Sequence, residues 1–255
     1  MELSFSPPSV IGMVHIGPLP GTPWYGAKGD YAAVRAKAVA DALALAQGGA
    51  QGALVQNRDD RVFAAGRADP VVAAAFADIT RAVVDAVGDR LAVGVQVLRN
   101  DIQASIAIAH ICGGSFVRCG VLVGSSGGMT GDPYAILNYR QQIGATGVKL
   151  IAEIGSMHFH SDQPLGELAQ SAVFAGVDAV GVAHPDLTTG LDWVAQVKAA
   201  APQLPVVIGG YTNADNIARY LAVADGAFVG GAFEDGGRGG AVNVESVRRF
   251  MRAVR

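Results

Sequence analysis

The sequence predicts one (β/α)8 barrel over residues 1–255, an α/β fold with a closed parallel sheet wrapped in helices, and three observations point to it. Eight short apolar runs rich in β-branched residues recur along the chain, which is how strands buried on both faces read. Segments of helical period lie between them, the order expected of parallel strands joined by crossover helices. The 255 residues are also close to the roughly 250 typical of one such barrel, so no second domain is required. An open doubly wound sheet shares the local pattern. Eight regular units, with no linker or low-complexity stretch between them, favour closure.

The strand runs are VIGMVHI from Val10, GALVQN from Gly52, LAVGVQVL from Leu91, SFVRCGVLV from Ser115, GVKLIAEIG from Gly147, DAVGVAH from Asp178, LPVVIGG from Leu204 and GAFVGG from Gly226. Between them the helical period is clearest at Val72, Phe76, Ile79, Val83 and Val87, one apolar stripe facing the sheet. Helix starts are predicted at Asp30, Asp69-Pro70, Asp132-Pro133 and Asn213, where a side-chain oxygen can accept from free backbone N–H groups. Stops fall at the glycines after Ala46, at Gly88 and at Gly113-Gly114, because glycine permits the left-handed exit conformation. The last helix should carry Arg248, Arg249, Arg252 and Arg255 on a wet face opposite Val247, Phe250, Met251 and Val254.

Composition excludes several classes. Hydrophobic residues make up 51% and charged residues 16%, yet no apolar run approaches the ~20 residues needed to span a bilayer, so no membrane insertion is expected. The start, MELSFSPPSV, lacks the basic and apolar stretches of a secretory signal, and a cytoplasmic location is expected. A net charge of −3, with positive charge clustered only in the last helix, offers no field to a polyanion, and nucleic acid is not an expected partner. Cys112 and Cys119 form no CxxC pair and read as core residues. A helix-rich exterior with so little charge predicts a homo-oligomer.

In such a barrel a polar residue near the C-terminal end of a strand points at the mouth. That rule selects His15, Gln56, Asn57, Gln96, Arg118, Glu153, and His184 with Asp186. Four histidines, His15, His158, His160 and His184, fall at or just past strand ends and only His110 lies within a helix, which points to acid–base chemistry near neutrality. His15 shares its parity with Ile11 and Met13, and Glu153 with Lys149 and Ile151, so His15 and Glu153 should face one another across the mouth. Glu153 could also neutralise Arg118 or Lys149. Lys149 opens its strand, too deep for Schiff-base chemistry. His158 and His160 could present imidazoles to a metal with Glu153 or His184, but no three ligands stand at a spacing that fixes a site; neither a metal nor an organic cofactor is expected. Gly209-Gly210 and Gly230-Gly231 end the last two strands, where barrels cradle a phosphate on bare N–H groups. Thr212-Asn213 could add donors, while AFED over 232–235 would repel an anion slightly.

The segment VIGMVHIGPLPGTPWYG, followed by QNRDDRVFAAGR, GVQVLRND, FVRCGVLVG and VKLIAEIG, resembles the BtpA/SgcQ family across essentially the whole chain. The resemblance implies a phosphate-binding type of barrel, a link by name to photosystem I biogenesis in some members, and association with sugar utilisation in others. Carried over by position, it singles out His15, Asn57, Arg67, Arg99, Asn100, Asp101, Arg118 and His158. This chain departs from the family where relatives commonly show Glu at Gln56, Asn at Gly120 and Asp-x-His at Glu153 and Gly155. It also has AHPDLTTG after strand six, and lacks the lysine expected after strand eight. A divergent member is expected.

The leading expectation is an enzyme acting by acid–base proton transfer on a small phosphorylated metabolite, a sugar phosphate or nucleotide-derived compound. Gly210 and Gly231 would anchor the phosphate, with Gly209 and Gly230 beside them. Asn57 and Arg118 would orient the polar body, His15, Glu153 and His158 would serve the chemistry, and Gln96, Asn100, His184 and Asp186 would complete the substrate site. The alternative is a non-catalytic assembly or stability factor for a membrane complex of photosystem type, since fold alone does not imply function.

Overall fold

The structure, a computed structural model, describes residues 1–5, 8–26, 29–63, 66–237 and 239–254. In chain order the strands are β1 (Ser9–His15), β2 (Gly52–Gln56), β3 (Ala92–Gln96), β4 (Phe116–Cys119), β5 (Ser125–Ser126), β6 (Met129–Thr130), β7 (Lys149–Gly155), β8 (Ala179–Val182), β9 (Val206–Ile208) and β10 (Gly226–Val229). Eight of them close a parallel barrel in the order β1-β10-β9-β8-β7-β4-β3-β2, and β5 with β6 forms a small antiparallel hairpin in the loop after β4. The eight runs read from the sequence are the eight barrel strands.

The α-helices are α1 (Tyr31–Gly48), α2 (Pro70–Val87), α3 (Ile102–Cys112), α4 (Pro133–Gln142), α5 (Leu165–Phe174), α6 (Leu187–Ala200), α7 (Ile217–Leu221) and α8 (Val244–Val254). Their starts follow the local chemistry. Asp30, Asp69 and Asp132 each accept a backbone N–H from the first turn of α1, α2 and α4. Gly49 and Gly113 close α1 and α3 in the left-handed conformation. Asn213 differs from expectation: its side chain caps a turn at Asp215 and Asn216, and α7 begins only at Ile217. In α8, Val247 and Phe250 are buried under exposed Arg248, Arg249 and Arg252, while Arg255 lies outside the described residues.

Alternation along each strand divides the core in two. Val10, Val14, Val55, Val93 and Val117 face outward and meet the helices, including the buried stripe Val72, Phe76, Ile79, Val83 and Val87. Ile11, Met13, Leu54, Phe116, Ile151, Val207 and Phe228 face inward and fill the barrel, with Leu3 closing the end where the strands begin. Full burial of side chains such as Phe116 and Ile151 contributes about 1.5–3 kcal/mol each. At that same end Lys149 donates to the Leu3 carbonyl and pairs with Glu2, far below the mouth.

The run from Ser115 ends as a strand at Cys119, earlier than its apolar pattern suggests. Asn100 explains the departure, because its amide oxygen accepts from Val121 N and its amide nitrogen donates to Val121 O. The side chain thereby takes the place of a strand neighbour, and the chain leaves the sheet toward the β5–β6 hairpin.

Candidate functional site

Above the apolar filling, the next inward layer is polar. His15, Gln56 and Gln96 stand side by side in register on β1, β2 and β3, and Arg118 and Glu153 project from β4 and β7. All five are buried. Gln56 donates to Gln96 at 2.6 Å, and Arg118 Nη2 donates to Glu153 Oε2 at 2.9 Å with its guanidinium 4.8 Å from the Phe228 ring. His15 Nδ1 lies 2.5 Å from Glu234 Oε1, and the Glu234 side chain is 1% exposed. Burial alone would raise the Glu234 pKa. Hydrogen bonds from His15 and Gly239 N, with the charges of His15 and Arg58, outweigh it and hold the carboxyl below the usual 4.5.

Two of the rim glycines have a steric reason to be bare. A Cβ on Gly209 would stand 3.1 Å from Arg118 Nη2, and one on Gly230 would stand 3.2 Å from His15 Cε1. Just past β9 and β10, these glycines leave room for Arg118 and His15, which would have to give by a few tenths of an ångström to admit a Cβ. Gly210 has φ +143°, which favours glycine, and a Cβ there would meet nothing. Among the described residues, the backbone N–H groups of Gly210, Tyr211, Gly231 and Ala232 donate to no protein acceptor.

This layer is the floor of a cavity of about 870 Å³, within the ~300–1,000 Å³ of small-molecule sites. The walls come from the loops: Arg58, Arg61 and Phe63 after β2, Arg99 and Asn100 after β3, and Ser126, Gly127 and Met129 of the hairpin. Met157, His158 and His160 follow β7, and residues 210–213 and 230–232 close the ring. Among the described residues, four arginines and three histidines line the space, against Glu153 as the one carboxylate. Five buried side-chain polar atoms have no hydrogen-bond partner among the described residues, and three belong to this cavity: Arg118 Nε, Glu153 Oε1 and Thr212 Oγ1. Leaving such a group unmet costs roughly 1–3 kcal/mol, and buried groups of this kind are ordinarily met by protein, water or ligand.

The cavity gathers most of the residues selected from the sequence: His15, Gln96, Asn100, Arg118, Glu153, His158, Gly209, Gly210, Gly230 and Gly231. His15 and Glu153 both line it but are not paired with one another: Glu153 is neutralised by Arg118, one of the alternatives open in the sequence, and His15 is held by Glu234. Asn57 is a correction. It is almost wholly buried outside the cavity lining, donating to Asp60 and accepting from Leu98 N, so it positions the loops after β2 and β3. His184 and Asp186 are a second correction. Asp186 caps α6 through Thr189, His184 bonds the Asp186 backbone N and stacks edge-on against Trp193 at 5.1 Å, and neither lines the cavity. Hydrogen bonds donated by the Thr189 backbone N–H and hydroxyl hold the Asp186 carboxyl below its usual range, as suits a capping residue. Asn100 lines the cavity but spends both amide atoms on Val121.

Glu234 was missed. The segment 232–235 reads as an anion-repelling tail, whereas the turn in which Phe233 N donates to Gly230 O carries Glu234 back under His15. Arg58 and Arg61 were missed as well, although they follow strand two directly. His160 Nε2 bonds the Met157 carbonyl, and among the described residues no group of three metal-ligating side chains is assembled. Both cysteines are buried, and desolvation pushes the Cys119 thiol up to about 12, far from a nucleophile's range. Among the described residues no helix is long and apolar enough to cross a membrane.

Fold and site together define a TIM barrel with a ligand-sized, cation-rich cavity at the C-terminal ends of its strands. The chain belongs to the BtpA family, whose model matches residues 7–255. It is 33% identical over 253 residues to an uncharacterized protein of Archaeoglobus fulgidus, covering 97% of this chain and 98% of that one. It is 30% identical over 260 residues to the photosystem I biogenesis protein BtpA of Synechocystis, covering 96% and 87%. Solved structures of similar fold include native KDPGal (TM-score 0.62, 16% identity, 99% and 97% covered) and an open form of tryptophan synthase from M. tuberculosis (TM-score 0.63, 17% identity, 98% and 94% covered). At such identities the likeness concerns the fold.

Proposed function

We propose that the protein is an enzyme that acts on a small phosphorylated metabolite by acid–base proton transfer, with the cavity as its active site. The observation that carries this reading is the buried His15–Glu234 pair at the floor of a cavity otherwise rich in cations and free N–H groups. Glu234 accepts from Nδ1–H and so fixes the ring and its tautomer, leaving Nε2 as the nitrogen able to take or return a proton. Glu153 is oriented through Oε2 by Arg118, and Oε1 is left to accept from a substrate hydroxyl. The phosphate is assigned to the N–H groups of Gly210, Tyr211, Gly231 and Ala232 with the hydroxyl of Thr212, because fixed backbone dipoles suit an anion. Isomerisation, epimerisation, hydrolysis and lyase cleavage all use such a set.

The test is incubation with a panel of phosphorylated sugars and nucleosides in D2O, followed by NMR. Solvent deuterium entering one substrate carbon, or a new product, is expected from the native protein and lost in His15→Asn. If ligands that protect the fold are neither exchanged nor converted, the catalytic reading fails. Gly231→Glu should abolish protection by phosphorylated ligands.

The name of the Synechocystis relative favours a second reading, a non-catalytic assembly factor. The exposed Ile111, Phe174 and Val223 lie at or just beyond the ends of α3, α5 and α7, away from the cavity. On that reading these residues matter and His15 does not. Homo-oligomerisation through such residues is compatible with both readings, and light scattering that returned a monomer would remove it.

A further inference from the structure

We infer that the substrate of this cavity carries two separate anionic groups, one held at the ends of β9 and β10 and the other by Arg99 and Arg61 on the facing wall. The inference deepens the phosphorylated-substrate reading and rests on it. In the closed strand order β3 and β9 are four places apart either way round, so the loop bearing Arg99 stands across the mouth from Gly210 and Thr212. Each side is furnished for an anion by different means. On the β9–β10 side stand backbone N–H groups and the buried, unpartnered Thr212 hydroxyl. On the β2–β3 side stand guanidiniums.

The arginines sort themselves by their partners. Arg118 is matched by Glu153, and Arg58 by Asp59 at 2.6 Å. Among the described residues, Arg61 and Arg99 meet no carboxylate. Arg61 lies 4.8 Å from the Trp24 ring, a cation–π contact that leaves its charge unneutralised. Arg99 lies against the hairpin, where a Cβ on Gly127 would come within 2.8 Å of its Nη2. Two uncompensated guanidiniums turned into a concave site are conspicuous in a chain of net charge −3, and their planar forks suit a phosphate or a carboxylate equally. Glu153 belongs to the floor between the two walls, and its buried Oε1, without a partner among the described residues, suits a hydroxyl donor. The substrate class is thus a short hydroxylated chain with a phosphate at one end and a phosphate or carboxylate at the other.

Calorimetric titration of the full-length protein with straight-chain α,ω-bisphosphates of three to six carbons, ω-phosphocarboxylates of the same lengths and the matching monophosphates tests this. At least one dianion should bind about tenfold more tightly than its monophosphate, and the better of the two series identifies the second group. Arg99→Ala, an exposed position, should bring that ratio to about one, whereas Thr212→Val should weaken monophosphate and dianion in parallel. Arg61→Gln should lower the ratio as well and serves as the second variant if Arg99→Ala binds poorly overall. A ratio near one at every length, or a ratio left unchanged by Arg99→Ala and Arg61→Gln, would overturn the inference while leaving the phosphorylated-substrate reading standing. Failure of the monophosphates to bind at all would remove both.

Discussion

His15 with Glu234 and His184 with Asp186 are both histidine–acid pairs at the ends of barrel strands, yet they do different work. His184 and Asp186 are near neighbours in sequence, and the pair is spent locally, with the acid capping α6 and the ring resting on Trp193. His184 is half-buried and Asp186 is exposed, so solvent still reaches both. His15 and Glu234 are separated by 219 positions, meet at 2.5 Å under the cavity, and are almost wholly removed from water. In low dielectric an ionisable pair is a strong orienting force and an expensive thing to break. A histidine at the rim is therefore informative only with its partner and its burial attached.

The largest expected effect sharpens that contrast. Glu234→Ala strands His15 in a buried site and should cost roughly 3 kcal/mol in urea unfolding, the scale for breaking a buried pair. Asp186→Ala should cost clearly less, and equal losses would dissolve the distinction. Glu153→Gln should likewise destabilise by leaving Arg118 without its counter-charge. Adding Arg118→Met to it should recover much of the loss, because the remaining unpaired charge is then gone. For this reason the stability of His15 and Glu153 variants alone does not separate a structural from a catalytic role; turnover does.

The pH dependence is a smaller effect with a definite sign. The Glu234 carboxyl is held below 4.5 in the folded protein, so its contribution to stability is complete above that value and is lost as pH falls through the lower folded pKa. The stability gap between the native protein and Glu234→Gln should therefore be constant near neutrality and narrow on acidification below 4.5. A gap that widens in acid would contradict the pairing. Smallest of all, His184→Ala should leave protection by phosphorylated ligands unchanged within error, and a loss of protection would return His184 to the site.

The fold was legible because it is written locally. The stripe from Val72 to Val87, the caps at Asp30, Asp69 and Asp132 and the exit at Gly113 each follow from neighbours within a few residues. The inward direction of His15, Arg118 and Glu153 was legible too, since strand parity sets it. The Arg118–Glu153 pair was among the alternatives the sequence offered, but the partner of His15 was not legible, because parity stops where the strand stops. Glu234 lies beyond β10 in a turn, and only its geometry brings the carboxylate under His15. Asn57 sits one residue past β2 and looks like a rim residue in sequence, but Asp60 and the Leu98 N–H claim its amide. Similarly, the glycine pairs were read for anion binding alone, when Gly209 and Gly230 also make room for Arg118 and His15.

The central claim, that His15 on Glu234 works on a phosphorylated ligand at the cavity floor, is tested most directly by a crystal structure with a phosphorylated sugar that protects the fold. The phosphate should lie on the N–H groups of Gly210 and Gly231 beside Thr212, with the sugar carbons over Glu153 and within hydrogen-bonding reach of His15 Nε2, while Glu234 keeps its bond to Nδ1. A ligand seated beside His184 and Asp186, or one whose phosphate turns away from both glycine loops, would contradict it.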